Sequence, residues 1–247
     1  MATVLVTGAT GILGSYLVPR LGARGHDVHR LSRHASGPGA VWGDVRTGNG
    51  IEAAAVGCDV VVHAATNPRW HTVETEVEGT RHVAEAATAA GAHLIYVSIV
   101  GVDRHRLPYY RAKWEAEQVV EASGARWTIL RATQFHDLLD RILGFRVVPL
   151  PRRTPFQPVD GAEVADVLAE LVDAGPSGRA PHVGGPEVLT INELNNIRAR
   201  VTGRRALVVP VPAVWFFRDF VDGRHLLSAG ATGRTTWGEW LRRRAAA

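Results

Sequence analysis

Thr3-Val4-Leu5-Val6-Thr7 runs directly into Gly8-Ala9-Thr10-Gly11-Ile12-Leu13-Gly14, and this junction decides the reading of the chain. The five residues before the glycines are apolar and β-branched without alternation, as in a parallel strand covered on both faces. Beyond them, helical spacing runs over 13–23. Between strand and helix the glycines stand at every third position. Glycine tolerates positive φ and lets backbone N–H groups approach a pyrophosphate, while Gly14 lets the helix pack closely on the strand. The helix N-terminus then turns its positive dipole end toward phosphate. Three glycines alone are a weak signal. Set between a first strand and a first helix, they imply a dinucleotide turn made of Gly8, Thr10, Gly11, Ile12, Leu13 and Gly14.

The same rhythm continues outward. Strands are predicted at 28–31, 40–42, 59–63, 93–98 and 127–131, with helices at 51–56, 73–90 and 109–123. About six strand–helix alternations, each near the length of a crossover, favour a doubly wound α/β fold, a parallel sheet with helices on both faces. After Phe145 the texture changes, with prolines at Pro149, Pro151, Pro155 and Pro158. Helices are expected at 162–174 and 190–201, the latter opened by a Thr190–Glu193 capping box. A strand is expected near 181–184 and another at 207–211. An aromatic amphipathic stretch spans 214–227, and a basic helix spans 237–244. The expected organisation is a core over 1–145 and a mixed α/β lobe over 146–247 covering the active site, both parts of one domain.

Composition narrows the function classes. The chain has 247 residues, 46% hydrophobic and 21% charged, enough for a sizeable core. The single cysteine, Cys58, excludes an intramolecular disulfide and suits a reducing compartment. No apolar run reaches membrane length, and no basic leader precedes the first strand, so a cytoplasmic protein with no membrane partner is expected. A net charge of +4 with interspersed signs argues against nucleic acid. Of 28 basic residues only Lys113 is a lysine.

The end of the second strand chooses the cofactor. Sites for NAD usually place Asp or Glu there to hold the ribose 2′-OH. Here the segment reads His29-Arg30-Leu31-Ser32-Arg33-His34, and Arg33 stands where a 2′-phosphate would lie. NADP(H) is therefore preferred over NAD(H). Asp44, after the third strand, is a candidate acceptor for the adenine amine. The small residues of Ala64-Ala65-Thr66 leave room beside a ribose.

Tyr109 and Lys113 are four apart at the start of a helix and share one face. A phenol has a reference pKa of ~10. A nearby ammonium favours the phenolate, so the tyrosine can exchange a proton near neutral pH, and lysine can also donate to a ribose. Tyr110 is the rival phenol, three residues from Lys113. A compact ammonium is not replaceable by guanidinium in that role.

At these residues the chain resembles the short-chain dehydrogenase/reductase superfamily, in its atypical, NAD(P)H-binding NmrA-like branch. The resemblance rests on the glycine turn and on His63-Ala64-Ala65, Glu78-Gly79-Thr80 and Tyr96-Val97-Ser98-Ile99-Val100-Gly101-Val102-Asp103. It continues through Tyr109 to Lys113, Leu130-Arg131-Ala132-Thr133-Gln134-Phe135 and Gly184-Gly185-Pro186-Glu187. It implies a Rossmann-type sheet with a small C-terminal substrate-binding lobe. It also implies hydride transfer from NADPH to a carbonyl, enone or quinone-like carbon, with Thr133, Gln134 and Phe135 at the nicotinamide end. Ser98 is the one hydroxyl available to polarise a substrate carbonyl, although Ile99 and Val100 occupy the more usual register. Glu76 replaces the asparagine that often precedes the Gly-Thr of the fourth helix, so a proton relay through that asparagine is in doubt.

His71 and His136, just beyond strand ends, are candidates for the substrate pocket, and His63 is read as buried at the sheet terminus. No metal-ligand spacing and no Gly-x-Ser-x-Gly elbow are present. Trp215-Phe216-Phe217 with Phe220 reads as lobe core, pocket wall or dimer surface. The expected partner is an apolar or aromatic small molecule, and monomer and homodimer both stay open. Two other functions on the same fold also stay open: a non-enzymatic NADP(H)-binding regulator, and a non-redox isomerase or cyclase.

Overall fold

The computed structural model describes residues 1–67, 72–151, 153–227 and 233–246. The first part of the chain forms β1 (Thr3–Thr7), α1 (Ile12–Ala23), β2 (Asp27–Ser32), β3 (Ala40–Trp42), α2 (Ile51–Ala55) and β4 (Val60–His63). A π-helical turn (Glu74–Glu78) then runs into α3 (Gly79–Ala89), followed by β5 (His93–Ile99), α4 (Pro108–Ala122) and β6 (Arg126–Ala132). Next come α5 (His136–Leu143), β7 (Val147–Pro149), β8 (Pro155–Phe156), α6 (Gly161–Ala174) and β9 (Gly178–Arg179). The chain closes with β10 (Leu189–Thr190), α7 (Ile191–Thr202), β11 (Leu207–Val209), α8 (Phe216–Val221) and α9 (Trp237–Ala246).

Two compact units result. The first contains residues 1–98, 111–131 and 165–181. Its sheet has the order β3-β2-β1-β4-β5-β6-β9. Pairing is parallel, with Val4 opposite both Val28 and Val60, and Val60 opposite His93. This is the doubly wound Rossmann order, in which the sequence reverses direction at β1 and opens a crevice at the carboxyl ends of β1 and β4. Leu5, Val61, Leu94 and Tyr96 are wholly buried with Val83, Ala87, Ala116 and Val120 of the covering helices. These unbroken apolar runs are the expected sign of a sheet packed on both faces.

The second unit contains residues 99–110, 132–164 and 182–247. It carries two small sheets, β8 with β10 antiparallel and β7 with β11 parallel. Its core gathers Leu139, Leu143, Ile191, Leu194, Trp237 and Trp240. The capping box holds: Glu193 N donates to the Thr190 hydroxyl, and the Thr190 N and hydroxyl donate to the Glu193 carboxylate.

Several elements differ from expectation, for local reasons. The strand expected at 181–184 is a single bridge, Val183 to Ala132. Pro181 has no N–H to give a ladder, and pairing falls earlier, at β9. The amphipathic stretch at 214–227 yields only the six residues of α8, because Gly223 takes a left-handed φ of 69° and ends the helix. The helix expected at 73–90 opens as a π turn. His136 is wholly buried in the second core, stacked on Trp237 and Trp240 with ring centroids 5.6 and 5.5 Å away. His71 lies outside the described residues.

Candidate nucleotide and proton-transfer site

Gly8 and Gly14 of the β1–α1 turn are required by close approaches. Gly8 has φ +69°, and a Cβ there would lie 2.7 Å from the Ala64 carbonyl and the Ala65 nitrogen. Gly11 N donates to Gly8 O at 2.9 Å and closes the turn. A Cβ on Gly14 would sit 2.5 Å from Ala9 Cα. Gly11 caps α1 with no side-chain hydrogen bond, and no acidic residue occupies the first turn. The helix therefore offers bare N–H groups and its positive dipole end, behind a backbone cradle that any side chain would fill. That arrangement fits a diphosphate.

The turn after β4 is pinned to this cradle. Ala65 N donates to the Thr7 hydroxyl at 3.2 Å, and that hydroxyl lies 2.7 Å from His63 Nδ1. His63 Nε2 lies 3.1 Å from the Thr80 hydroxyl. Burial, with the Lys113 charge nearby, pushes the His63 imidazole down to about 3. The ring is a neutral spacer between β1 and α3. Arg33 is exposed on the turn after β2 and has no ion-pair partner among the described residues. Arg30 is occupied, donating to Ser36 O and Pro38 O. Asp44 accepts from Arg46 N at 3.0 Å, which fixes the turn after β3.

Lys113 lies on α4 and is 3% exposed. Its ammonium donates to Val97 O at 2.9 Å, lies 3.1 Å from Glu76 Oε2, and sits over the Tyr96 ring at 4.6 Å. Glu76 is itself 1% exposed. Its other oxygen accepts from the Thr66 hydroxyl at 2.6 Å and from Asn67 N at 2.8 Å. Ser98 is buried on β5, and its hydroxyl lies near the Glu117 carboxylate. Glu117 also takes a two-pronged bond from Arg131 and one from Arg179. Burial alone would raise the Glu117 carboxyl, but Arg131, Ser98 and Arg179 outweigh it and hold it below its ordinary range.

Within the second unit, Tyr109 is half-buried and meets Tyr110 edge-on, centroids 6.2 Å apart. Tyr110 is 5% exposed, and burial pushes its phenol well up, only partly offset by a hydrogen bond with Gln134. Burial thus keeps the Tyr110 phenol protonated. Thr133 and Gln134 are buried and Phe135 is half-buried, and Gln134 O accepts from Val159 N. The segment before α4 is anchored by Asp219, which is fully buried and accepts from Arg106 N and the Arg106 guanidinium, both at 2.8 Å. Those hydrogen bonds hold its carboxyl down at about 2. His105 and His225 each meet Phe220 edge-on beside it.

Sequence reasoning missed Thr7, Thr80 and Asp219 as anchors. Thr7 read as one more β-branched strand residue. Asp219 joins Arg106 across a sequence separation that no local pattern can carry. Glu76 stood out only as a departure from the resemblance. Among the described residues, no group of three His, Cys, Asp or Glu could hold a metal, and no helix is long and apolar enough to cross a membrane.

The sheet order and the cradle define a dinucleotide-binding α/β protein. The chain belongs to the NAD(P)H-binding family, whose model matches residues 8–174. It is 32% identical to (4-alkanoyl-5-oxo-2,5-dihydrofuran-3-yl)methyl phosphate reductase of Streptomyces griseus over 81% of this chain and 74% of that enzyme. It is 28% identical to the chloroplastic divinyl chlorophyllide a 8-vinyl-reductase of Oryza sativa over 86% of this chain, and spans 63% of that protein's length. Citrobacter triphenylmethane reductase, solved with NADP(H), superposes with a TM-score of 0.79 at 18% identity, covering 98% of this chain and 99% of that one.

Proposed function

We propose that this protein is an NADPH-dependent reductase in which Tyr109 donates the proton and Lys113 supports it. The observation that carries the reading is the placement of the chain's one lysine. It is buried at a fixed position, one helical turn beyond Tyr109 on α4, in the unit that also holds the glycine cradle. Burying an ammonium is costly unless it is paired and bonded, and a chain that uses arginine at every other basic position keeps lysine here. The names of the relatives, reductases of a furanone phosphate and of a vinyl group, support reduction of a polarised double bond.

Gly8, Thr10, Gly11, Ile12, Leu13 and Gly14 would hold the diphosphate, and Ala64, Ala65 and Thr66 the adenosine side. Asp44 would meet the adenine amine, and Thr133, Gln134 and Phe135 the nicotinamide end. When bound, the nicotinamide supplies hydride. Tyr109 gives a proton to the oxygen or carbon that gains the electron pair, and Lys113 donates to the ribose and stabilises the phenolate left behind. Ser98 would orient a substrate carbonyl. The substrate is a carbonyl, enone or quinone-like small molecule.

The test is NADPH oxidation against a carbonyl, enone and quinone panel. Tyr109→Phe is expected to lower kcat about a hundredfold, the low end of general acid catalysis, while leaving NADPH affinity within threefold. Undiminished turnover in that variant sinks the assignment of the phenol. For the cofactor, Arg33→Ala is expected to weaken NADPH about tenfold, the worth of a charge-assisted bond, and to leave NADH unchanged. Equal effects on both nucleotides would remove Arg33 from 2′-phosphate recognition.

A further inference from the structure

Glu76 is the buried carboxylate that the proposed reaction leaves without a task. It lies in the π-helical turn, where Thr75, Glu76 and Val77 are buried in succession. An α-helix would rotate one of three consecutive residues away from the core. The wider π turn keeps all three inward, and such turns recur at functional sites. There the carboxylate joins two things. Oε2 faces the Lys113 ammonium at 3.1 Å, and Oε1 accepts from the Thr66 hydroxyl and from Asn67 N on the segment leaving β4.

We propose that Glu76 is a positioning residue for the proton-transfer pair: its carboxylate fixes the Lys113 ammonium and ties it to the turn that receives the cofactor's ribose. This rests on the reading of Lys113 given above. The other groups around the ammonium cannot do the same. Val97 offers a neutral carbonyl and Tyr96 a ring face. His63 is neutral, bridged between Thr7 and Thr80. Glu117, one turn further along α4, is engaged by Arg131 and Arg179. An asparagine at position 76 could accept a hydrogen bond but could not balance the charge. With glutamate, the buried pair is neutral overall, and Thr66 and Asn67 keep the carboxylate from following the lysine if it moves.

The single lysine makes the test direct. In the full chain labelled with 15N-lysine, one side-chain signal reports Lys113, with or without cofactor. In the wild type it is expected as a slowly exchanging ammonium at neutral pH. In Glu76→Gln, which keeps shape and removes charge, the ammonium signal is expected to be lost at a pH at least one unit lower. kcat with NADPH should fall about tenfold with substrate KM within twofold. If Glu76→Gln does not fold, Glu76→Asp keeps the charge and shortens the reach. Its lysine signal is then expected to shift and its kcat to fall. A lysine signal that titrates as in the wild type, in whichever of the two variants folds, overturns the proposal. An apoprotein that behaves as expected but turns over nothing on any substrate would instead sink the reductase reading and leave the positioning role standing.

Discussion

Gly14→Val is expected to weaken NADPH binding about a thousandfold while the first unit keeps its sheet. Any side chain at this position meets Ala9 Cα at 2.5 Å, and the contact is backbone that has no rotamer to yield. Either α1 slides away from β1 or the Gly8–Gly11 turn opens. Both displace the N–H groups at the start of α1 that would face the phosphates. A hydrogen bond to a charged group contributes about 1.5–3 kcal/mol. Losing two therefore costs about 4 kcal/mol, three decades in Kd. Fluorescence titration with NADPH checks this. An affinity within threefold of the wild type would show that the cradle does not hold the diphosphate.

Acid is expected to unfold this protein steeply between pH 6 and 4.5. Five imidazoles are buried and neutral in the fold. Burial lowers His63 to about 3, and His93, His105, His136 and His225 to about 4. Arg126 adds to the effect at His93 and Arg243 at His136, whereas Asp219 and Asp160 oppose it at His105 and His136. In the unfolded chain these rings titrate near 6.5. The stabilising contribution is therefore complete above 6.5, and drains away as pH falls toward 4, because the unfolded chain binds protons that the native one refuses. Each such proton contributes about 1.4 kcal/mol per pH unit, so five give about 6 or 7. Total stabilities run to about 5–15 kcal/mol, so one to two pH units suffice. Below that range Glu117 and Asp219, whose carboxyls are held low, add to the loss. Urea unfolding at pH 7, 6 and 5 measures the slope. A stability flat to within 1 kcal/mol over that range would refute the burial of these rings in neutral form.

The two kinds of structure in this chain differ in how openly the sequence declares them. Residues 3–14 announce a strand, a tight turn and a helix because each has its own local requirement: apolar continuity, small residues and helical spacing. The same holds for Thr190 and Glu193, whose three-residue spacing is the bond itself. The β7, β8 and β10 strands are two or three residues long, too short for any period to show. They exist because a partner strand lies beside them. His136 illustrates the limit for side chains: a polar ring just past a strand looks exposed from sequence, and only Trp237 and Trp240, a hundred residues on, make it core. Tyr109 and Lys113 were legible as a helical pair. The carboxylate that secures the lysine was not, since Glu76 reaches it through tertiary packing and a π turn that no spacing rule foretells.

A protein whose one ε-amino group is buried presents no lysine to its surroundings while it is folded. Acylating reagents, and enzymes that modify lysine, can reach that nitrogen only when α4 lifts from β5. The rate at which Lys113 is acylated thus clocks local opening of the nucleotide-binding unit, with no engineered label and no second lysine to resolve from it.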